Sequence, residues 1–324
     1  MATTPLAIDV GHGWTKALSA TKRVYFPSLI AAAPPALDLG EYAQSNAVHI
    51  NGRPYLVGEA ARPYATPLWA RDKASDRETV FLLLIAAVSL DADGDLHIAT
   101  GLPLSWYGDQ RTTLQTALES LPPQTIQLPK QPARTLHIVS ADVLPQAMAA
   151  AIALLSGPVS SGQSTLLMDI GYRTSDYLAV QRRPNKPPEF LLRQSGTIEL
   201  GMSLIAETVA VELENRYHQP FTPGEVETAP QIMMKGHAVD LHAPRQQARE
   251  LLVTQLHQEL VYRLKTQLDR MHQIILVGGG ASVLTEPLHR LLDVPVVMAT
   301  DPQWANARGY WGAVEPRPSA VAMH

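Results

Sequence analysis

Apolar and polar positions alternate from the start of the chain. Leu6 to Val10 is a short apolar run closed by Gly11 and Gly13, and alternation resumes over Lys16 to Ala20. That pattern predicts a strand, a tight turn and a returning strand. Residues 31–46 mix Ala, Pro and polar side chains without a period and read as a surface loop. His49 to Val57 alternates around Asn51-Gly52, a pair that accepts the positive φ of a type I′ turn, so a second hairpin is expected. Val80 to Leu90 (VFLLLIAAVSL) is nearly all apolar. It falls well short of the ~20 residues that span a bilayer and predicts a buried helix.

Leu96 to Thr100 reads as a strand ending at Gly101-Leu102-Pro103, after which Leu114, Ala117, Leu118 and Leu121 share one helical face. Arg134 to Ser140 is a further strand. Pro145 is expected to open a helix running to about Leu155, because a missing N–H costs nothing in the first turn. Ser156 to Ser164 (SGPVSSGQS) is small and polar and reads as the crossing between two domains. Beyond it, Thr165 to Ile170, a turn at Gly171 and Asp176 to Val180 repeat the N-terminal plan, again with an Asp near the end of the first strand. A repeat at about half the chain length suggests two related subdomains rather than a solenoid.

Helical patterns follow over Ser203 to Tyr217 and Gln246 to Met271. The second carries Leu252, Leu256, Leu260, Leu264 and Leu268, a core-facing ladder rather than a coiled-coil seam, since spacing of four drifts around the axis. Ile274 to Val277 predicts a buried strand before Gly278-Gly279-Gly280 and another helix, Pro295 to Met298 a short strand, and Trp304 to Val314 a helix. Hairpins alternate with helical crossovers, twice, which makes a layered α/β protein.

Composition narrows the function. With 26 Lys+Arg against 30 Asp+Glu in 324 residues and no block of like charge, the chain lacks the basic footprint of a nucleic-acid binder. The absence of Cys removes disulfides, thiolate nucleophiles, zinc-thiolate sites and iron–sulfur clusters. No basic segment followed by a long apolar stretch opens the chain, so a cytoplasmic protein without membrane partners is expected. Of the 11 His only His12 lies in a motif, and a catalytic zinc is not expected. Trp14, Trp69, Trp106, Trp304 and Trp311 do not interleave with basic residues and read as packing side chains. Met233-Met234 offers flanks for an adenine, although gap-filling core is the commoner role of Met.

Three constellations carry chemistry. In Asp9-Val10-Gly11-His12-Gly13-Trp14-Thr15-Lys16, two glycines let a turn approach an anion so that its N–H groups face phosphate oxygens. Lys16 adds a cation, and Asp9 a carboxylate for a hydrated metal. In Asp169-Ile170-Gly171-Tyr172-Arg173-Thr174-Ser175-Asp176, an Asp again ends a strand before a turn, with a hydroxyl and a second carboxylate nearby. Two such turns suit a polyphosphate bridged by Mg²⁺, which keeps its waters and prefers carboxylates. In Ile275-Leu276-Val277-Gly278-Gly279-Gly280-Ala281-Ser282, three glycines between strand and helix allow close passage of a flat ring or a phosphate. The spacing is not that of a dinucleotide fold.

In this order and separation, the three motifs resemble the phosphate-1, phosphate-2 and adenosine motifs of the actin, hexokinase and heat-shock-chaperone ATPase superfamily. Within it the chain most resembles ParM-type bacterial and archaeal actin-like proteins. Supporting stretches are Thr100 to Ser105, Val143 to Ala147 and Asp301 to Tyr310. The resemblance implies an actin-like ATPase fold: two related ribonuclease-H-like domains around a nucleotide cleft, residues 1–155 plus 302–324 and residues 156–301. It implies ATP or GTP with Mg²⁺ as cofactors. Asp9 and Asp169 would serve the metal. Gly11, His12, Gly13 and Lys16 would meet the phosphates from one side, and Gly171, Tyr172, Thr174 and Asp176 from the other, while Gly278, Gly279 and Gly280 would pass beneath the adenosine.

Gln146 sits where the ParM type commonly has Glu and eukaryotic actin has Gln. A neutral amide orients water but is no strong base, and positioning supplies most of the acceleration in phosphoryl transfer. Tyr172 and Arg173 replace the glycine and small residue often found there. The resemblance further implies nucleotide-driven filaments of the chain itself, and DNA or plasmid segregation through a DNA-binding adaptor. A small-molecule kinase is the alternative within the superfamily, although no motif for a second substrate is found. A chaperone is not expected, because the stretch after Gly280 is too short for a peptide-binding domain.

Overall fold

The computed structural model describes residues 3–34, 46–65, 72–73 and 75–316. Most of the expected loop at 31–46 lies outside these residues, as does Trp69. The chain divides into two compact units, Met1–Ala153 with Asn306–His324, and Leu154–Ala305.

The first unit is built on one mixed sheet. Its strands are β1 (Thr4–Val10), β2 (Trp14–Leu18), β3 (Arg23–Pro27), β4 (Ile30–Ala32), β5 (Val48–Ile50), β6 (Arg53–Val57), β7 (Gly94–Leu102), β8 (Gln124–Gln127) and β9 (Arg134–Pro145). Among the described residues they lie in the order β3-β2-β1-β7-β9-β8-β5-β6-β4. Its described helices include α1 (Arg77–Ser89), α2 (Leu104–Glu119) and α3 (Met148–Leu155). β1 and β2 form the expected hairpin, and β7 and β9 add to it in parallel. The β5–β6 turn places Asn51 and Gly52 at φ of 49° and 77°, as the Asn-Gly pair predicts.

Alternation along the central strands sorts the core. Leu6, Ile8 and Val10 pack with α1 and with Leu114 and Leu118 of α2. Ala7, of opposite parity, joins Ala99 and Ala149 on the other side of the sheet. α1 is apolar around its circumference and is correspondingly buried. Its N-terminus is fixed by Asp76, whose carboxylate accepts from the backbone N–H of Glu78 and Thr79.

The second unit repeats the plan. A hairpin of β10 (Gln163–Ile170) and β11 (Ser175–Arg182) is flanked by β12 (Glu189–Phe190) and β13 (Gly196–Ile198). Then come α4 (Ser203–Tyr217), the short α5 (Pro223–Glu227), the isolated hairpin β14 (Gln231–Met234) with β15 (His237–Asp240), and α6 (His242–Leu264). β16 (Gln273–Val277) lies parallel to β10, α7 (Ala281–Leu291) crosses over, and β17 (Val296–Met298) completes the sheet. The Leu252, Leu256, Leu260 and Leu264 ladder of α6 packs against Leu166, Met168 and Ile170 of β10. Finally α8 (Ala305–Val314) carries Tyr310 and Val314 into the first unit, beside Ala7 and Ala149. Among the described residues no helix is long and apolar enough to cross a membrane.

Several boundaries depart from the sequence pattern, for identifiable reasons. Pro145 does not open a helix. It ends β9, paired with Leu102, and Ala147 takes a left-handed φ of 60°, so α3 starts only at Met148. β2 stops at Leu18 rather than Ala20 because Ser19 turns the chain toward Lys22, its backbone N–H bonding the Lys22 carbonyl at 2.9 Å. The long helix begins earlier than Gln246, with Pro244 in its first turn, and becomes a 3₁₀ segment from Lys265 to Arg270. Leu268 stays buried there. Trp304 belongs to a 3₁₀ turn, Pro302–Trp304, ahead of α8.

Candidate functional site

In the first unit, the β1–β2 hairpin sets Asp9 directly across from Lys16. Lys16 Nζ lies 3.1 Å from Asp9 Oδ2, with the two side chains 12% and 4% exposed. The other carboxylate oxygen accepts from Gln146 Nε2 at 3.3 Å. Asp9, Lys16 and Gln146, 137 residues away from Asp9 along the chain, therefore form one cluster at the end of β1. The turn itself is held by the Gly11 N–H bonded to the Trp14 carbonyl at 3.2 Å. The His12 ring stands edge-on to Trp106 at 5.8 Å. The Gly13 carbonyl accepts from the Ser28 N–H at 2.9 Å, which ties the turn to the far end of β3.

Gln146 is presented by a constrained backbone. Its N–H donates to the Leu102 carbonyl at 2.8 Å. The next residue, Ala147, has a left-handed φ, a conformation that costs a non-glycine residue about 1 kcal/mol or more. The Ala147 N–H donates to Asn306 Oδ1 at 3.1 Å, so α8 holds the peptide that aims the amide at Asp9.

In the second unit, the β10–β11 hairpin sets Asp169 across from Asp176. Both carboxylates are buried. Thr197 Oγ1 donates a short hydrogen bond to Asp176 Oδ1. The Gly171 N–H bonds the Thr174 carbonyl at 2.9 Å, and the turn docks on the start of α4. The Gly171 carbonyl accepts from the Met202 N–H at 3.1 Å, and the Tyr172 carbonyl from the Ser203 N–H at 2.7 Å. Thr174 is buried beside them.

The glycine run lies against this turn. Gly278 has φ of 82°, and a Cβ on it would collide with Asp169 Oδ1 and the Ile170 carbonyl. Its N–H donates to the Pro302 carbonyl at 2.9 Å, and the Gly280 N–H to the Ile170 carbonyl at 3.0 Å. Gly279 is less crowded, its nearest neighbour to an added Cβ being Gln303 Nε2 at 3.9 Å. Asp169, Gly171, Tyr172, Thr174, Asp176, Gly278, Gly279 and Gly280 are thus brought together within the second unit.

Other features carried no signal readable in the sequence. A hollow of about 450 Å³ opens beside the first turn of α7, lined by Ile205, Asp240, Arg245, Gln246, Arg249 and Val283 among others. Arg245 donates two short hydrogen bonds, to the carbonyls of Val226 and Ala229. Burial pushes its guanidinium down from the usual range, against the opposing pull of Asp240 and Glu227. Arg249 Nε is buried and has no hydrogen-bond partner among the described residues. Met234 is buried, whereas Met233 is 64% exposed, which corrects its reading as core. In the first unit Lys73 is buried with its Nζ 2.7 Å from the Val10 carbonyl.

Residues 7–148 match the family model for the N-terminal domain of actin-like proteins, and residues 167–290 the model for the C-terminal domain of the archaeal, MreB-like actin homologue. An archaeal actin homolog of Thermoplasma acidophilum is 24% identical, over 96% of this chain and 98% of its own. A 15-stranded ParM filament from Clostridium botulinum superposes with a TM-score of 0.81 at 25% identity, over 97% of this chain and 99% of the filament protein. An archaeal actin homolog in complex with ADP gives a TM-score of 0.76 at 20% identity, over 97% and 99%.

Proposed function

The chain belongs to the actin-like ATPase superfamily, and from that membership we propose that it binds and hydrolyses Mg²⁺-ATP and polymerises into filaments under nucleotide control. The observation that carries the reading is the Asp9 carboxylate, held by Lys16 and Gln146 at a glycine turn, with a second acid-tipped turn at Asp169 in the other unit. The site residues fit a nucleotide on two counts. Gly278 and Gly280 pack on Asp169, Ile170 and Met202 with no room for a Cβ, while Gly279 between them has space around it, and the hollow beside α7 has the size and mixed lining of a small-molecule pocket.

In this reading the magnesium nucleotide supplies the scissile phosphoanhydride and a cation to balance its charge. The chain does the rest. Lys16 exchanges Asp9 for phosphate oxygens, and the N–H groups around Gly11, His12 and Gly13 and around Gly171 and Tyr172 face the anion. Asp9 and Asp169 would hold the metal ion, with Thr174 and Asp176 supporting the second turn. Gln146 orients a water by its amide, a positioning role suited to phosphoryl transfer. The hollow lined by Ile205, Arg249 and Val283 takes the nucleoside beside Gly278–Gly280.

Self-association is supported by the filament of the Clostridium botulinum relative, and a head-to-tail contact that does not close generates such a polymer. Its cargo would be DNA, held through a separate adaptor, since the chain offers no basic block of its own. A kinase reading is not favoured by filament-forming relatives. The test is sedimentation and light scattering with Mg²⁺ and ATP, or with ADP, alongside phosphate release. Polymer that forms with ATP and decays as phosphate appears is expected, while a monomer under every nucleotide would refute filament formation. Lys16→Ala should abolish most nucleotide affinity in calorimetry.

A further inference from the structure

We propose that the hollow beside α7 reads the purine base and favours guanine over adenine, with Arg249 and Asp240 as its specificity-determining residues. The inference rests on the reading of this hollow as the nucleoside site and names the base that site takes. The space is about 450 Å³, and Ile205, Pro230 and Val283 give it apolar walls that suit a flat ring. Arg245 and Arg249 stand about one turn apart on α6 and line the same space, and like charges at that spacing disfavour a helix. Arg245 is engaged, donating to the carbonyls of Val226 and Ala229. Arg249 differs, because its Nε is buried with no hydrogen-bond partner among the described residues. A buried donor left unpaired is a cost that an acceptor on a ligand removes.

Asp240, the last residue of β15, adds a carboxylate to the lining. Its pull on Arg245 is Coulombic, and a carboxylate accepts at both oxygens. The two purines present different edges to such a pair. Guanine offers two adjacent acceptors, O6 and N7, which a guanidinium meets with two parallel hydrogen bonds. On its other side N1–H and the 2-amino group are two adjacent donors, matched to a carboxylate. Adenine sets its 6-amino donor between the acceptors N1 and N7, so neither edge gives a guanidinium two acceptors or a carboxylate two donors. With adenine bound, part of the polar lining would stay unpaired, which is the condition under which a site rejects a ligand.

Calorimetry with the Mg²⁺ complexes of GDP, ADP and inosine diphosphate tests this on wild type, Arg249→Met and Asp240→Asn, beside the melting temperature of each free protein. Diphosphates keep hydrolysis out of the measurement. Wild type should bind GDP about tenfold tighter than ADP, the equivalent of one paired contact. Inosine diphosphate, which lacks the 2-amino group, should bind about threefold or more weaker than GDP. Arg249→Met should weaken GDP more than ADP and bring the two within about threefold, and Asp240→Asn should bring GDP to the level of inosine diphosphate. Wild type that binds ADP as tightly as GDP, or more tightly, would overturn the guanine assignment and leave the nucleotide reading standing, whether or not the variants fold. A preference for GDP that survives both substitutions in folded protein would overturn the roles given to Arg249 and Asp240. Wild type that binds none of the three would overturn the nucleotide reading as well.

Discussion

Replacing Lys16 by Met takes the cation from a carboxylate with little water to fall back on. The side chains are 12% and 4% exposed and 3.1 Å apart. At that separation the gross attraction is about 5 kcal/mol for an effective dielectric of ~20, and desolvation of the two ions offsets most of it. Deleting one partner does not restore water to the other, so the loss exceeds the net worth of the pair. The expected destabilisation is about 3 kcal/mol, the lower end for a broken buried pair, because Gln146 Nε2 still donates to Asp9 at 3.3 Å. For a unit of this size that is a fall of about 6–12 °C in melting temperature. Urea and thermal unfolding without nucleotide, on wild type, Lys16→Met, Asp9→Asn and the double variant, measure it. The double variant should recover most of the Lys16→Met loss, since an amide beside methionine leaves neither position of the pair carrying a charge, with a coupling of about 2 kcal/mol. Lys16→Met within about 1 kcal/mol of wild type, or a double variant equal to the sum of the singles, would refute the argument.

The other expectations address single contacts. Gly278→Ala forces a side chain into a left-handed φ and against Asp169 and Ile170; it should cost about 2–4 kcal/mol in unfolding, and Gly279→Ala, with room around it, under about 1 kcal/mol. Gln146→Ala should slow phosphate release about tenfold or more while Mg²⁺-ATP still drives sedimentation; unchanged turnover would remove the amide from the reaction. Asn306→Ala leaves the Ala147 N–H without its acceptor and should cost about 1–3 kcal/mol, with turnover reduced as Gln146 loses its fixed direction. Arg249→Met should weaken nucleotide binding with little effect on melting, and tight binding by the variant would exclude this hollow as the nucleoside site.

What could be read in the sequence was local. The two hairpins announced themselves through alternation broken by glycine, and the crossover strands as apolar runs. The acids at the strand ends, and the glycines beside them, could be picked out because turn chemistry is written in neighbouring residues. What escaped depends on distance along the chain. Lys73 sits among charged neighbours in sequence, and only folding carries it to Val10. Asn306 lies 159 residues from the peptide it fixes. Pro145 was misplaced because the left-handed turn at Ala147 is held by that distant partner rather than by a glycine. The lining of the hollow comes from four separate elements and their connections, none of which marks it alone. The β14–β15 hairpin turns at Lys235-Gly236, both with positive φ, where the glycine marks the turn in the sequence as well.

One ladder position distinguishes the two hairpins. Facing the strand-end acid, the first hairpin carries an ammonium and the second another carboxylate. Across one shared ladder position the two hairpins thus differ in polarity, opposite charges facing each other in the first and like charges in the second, so an identical turn geometry is set in two different local fields.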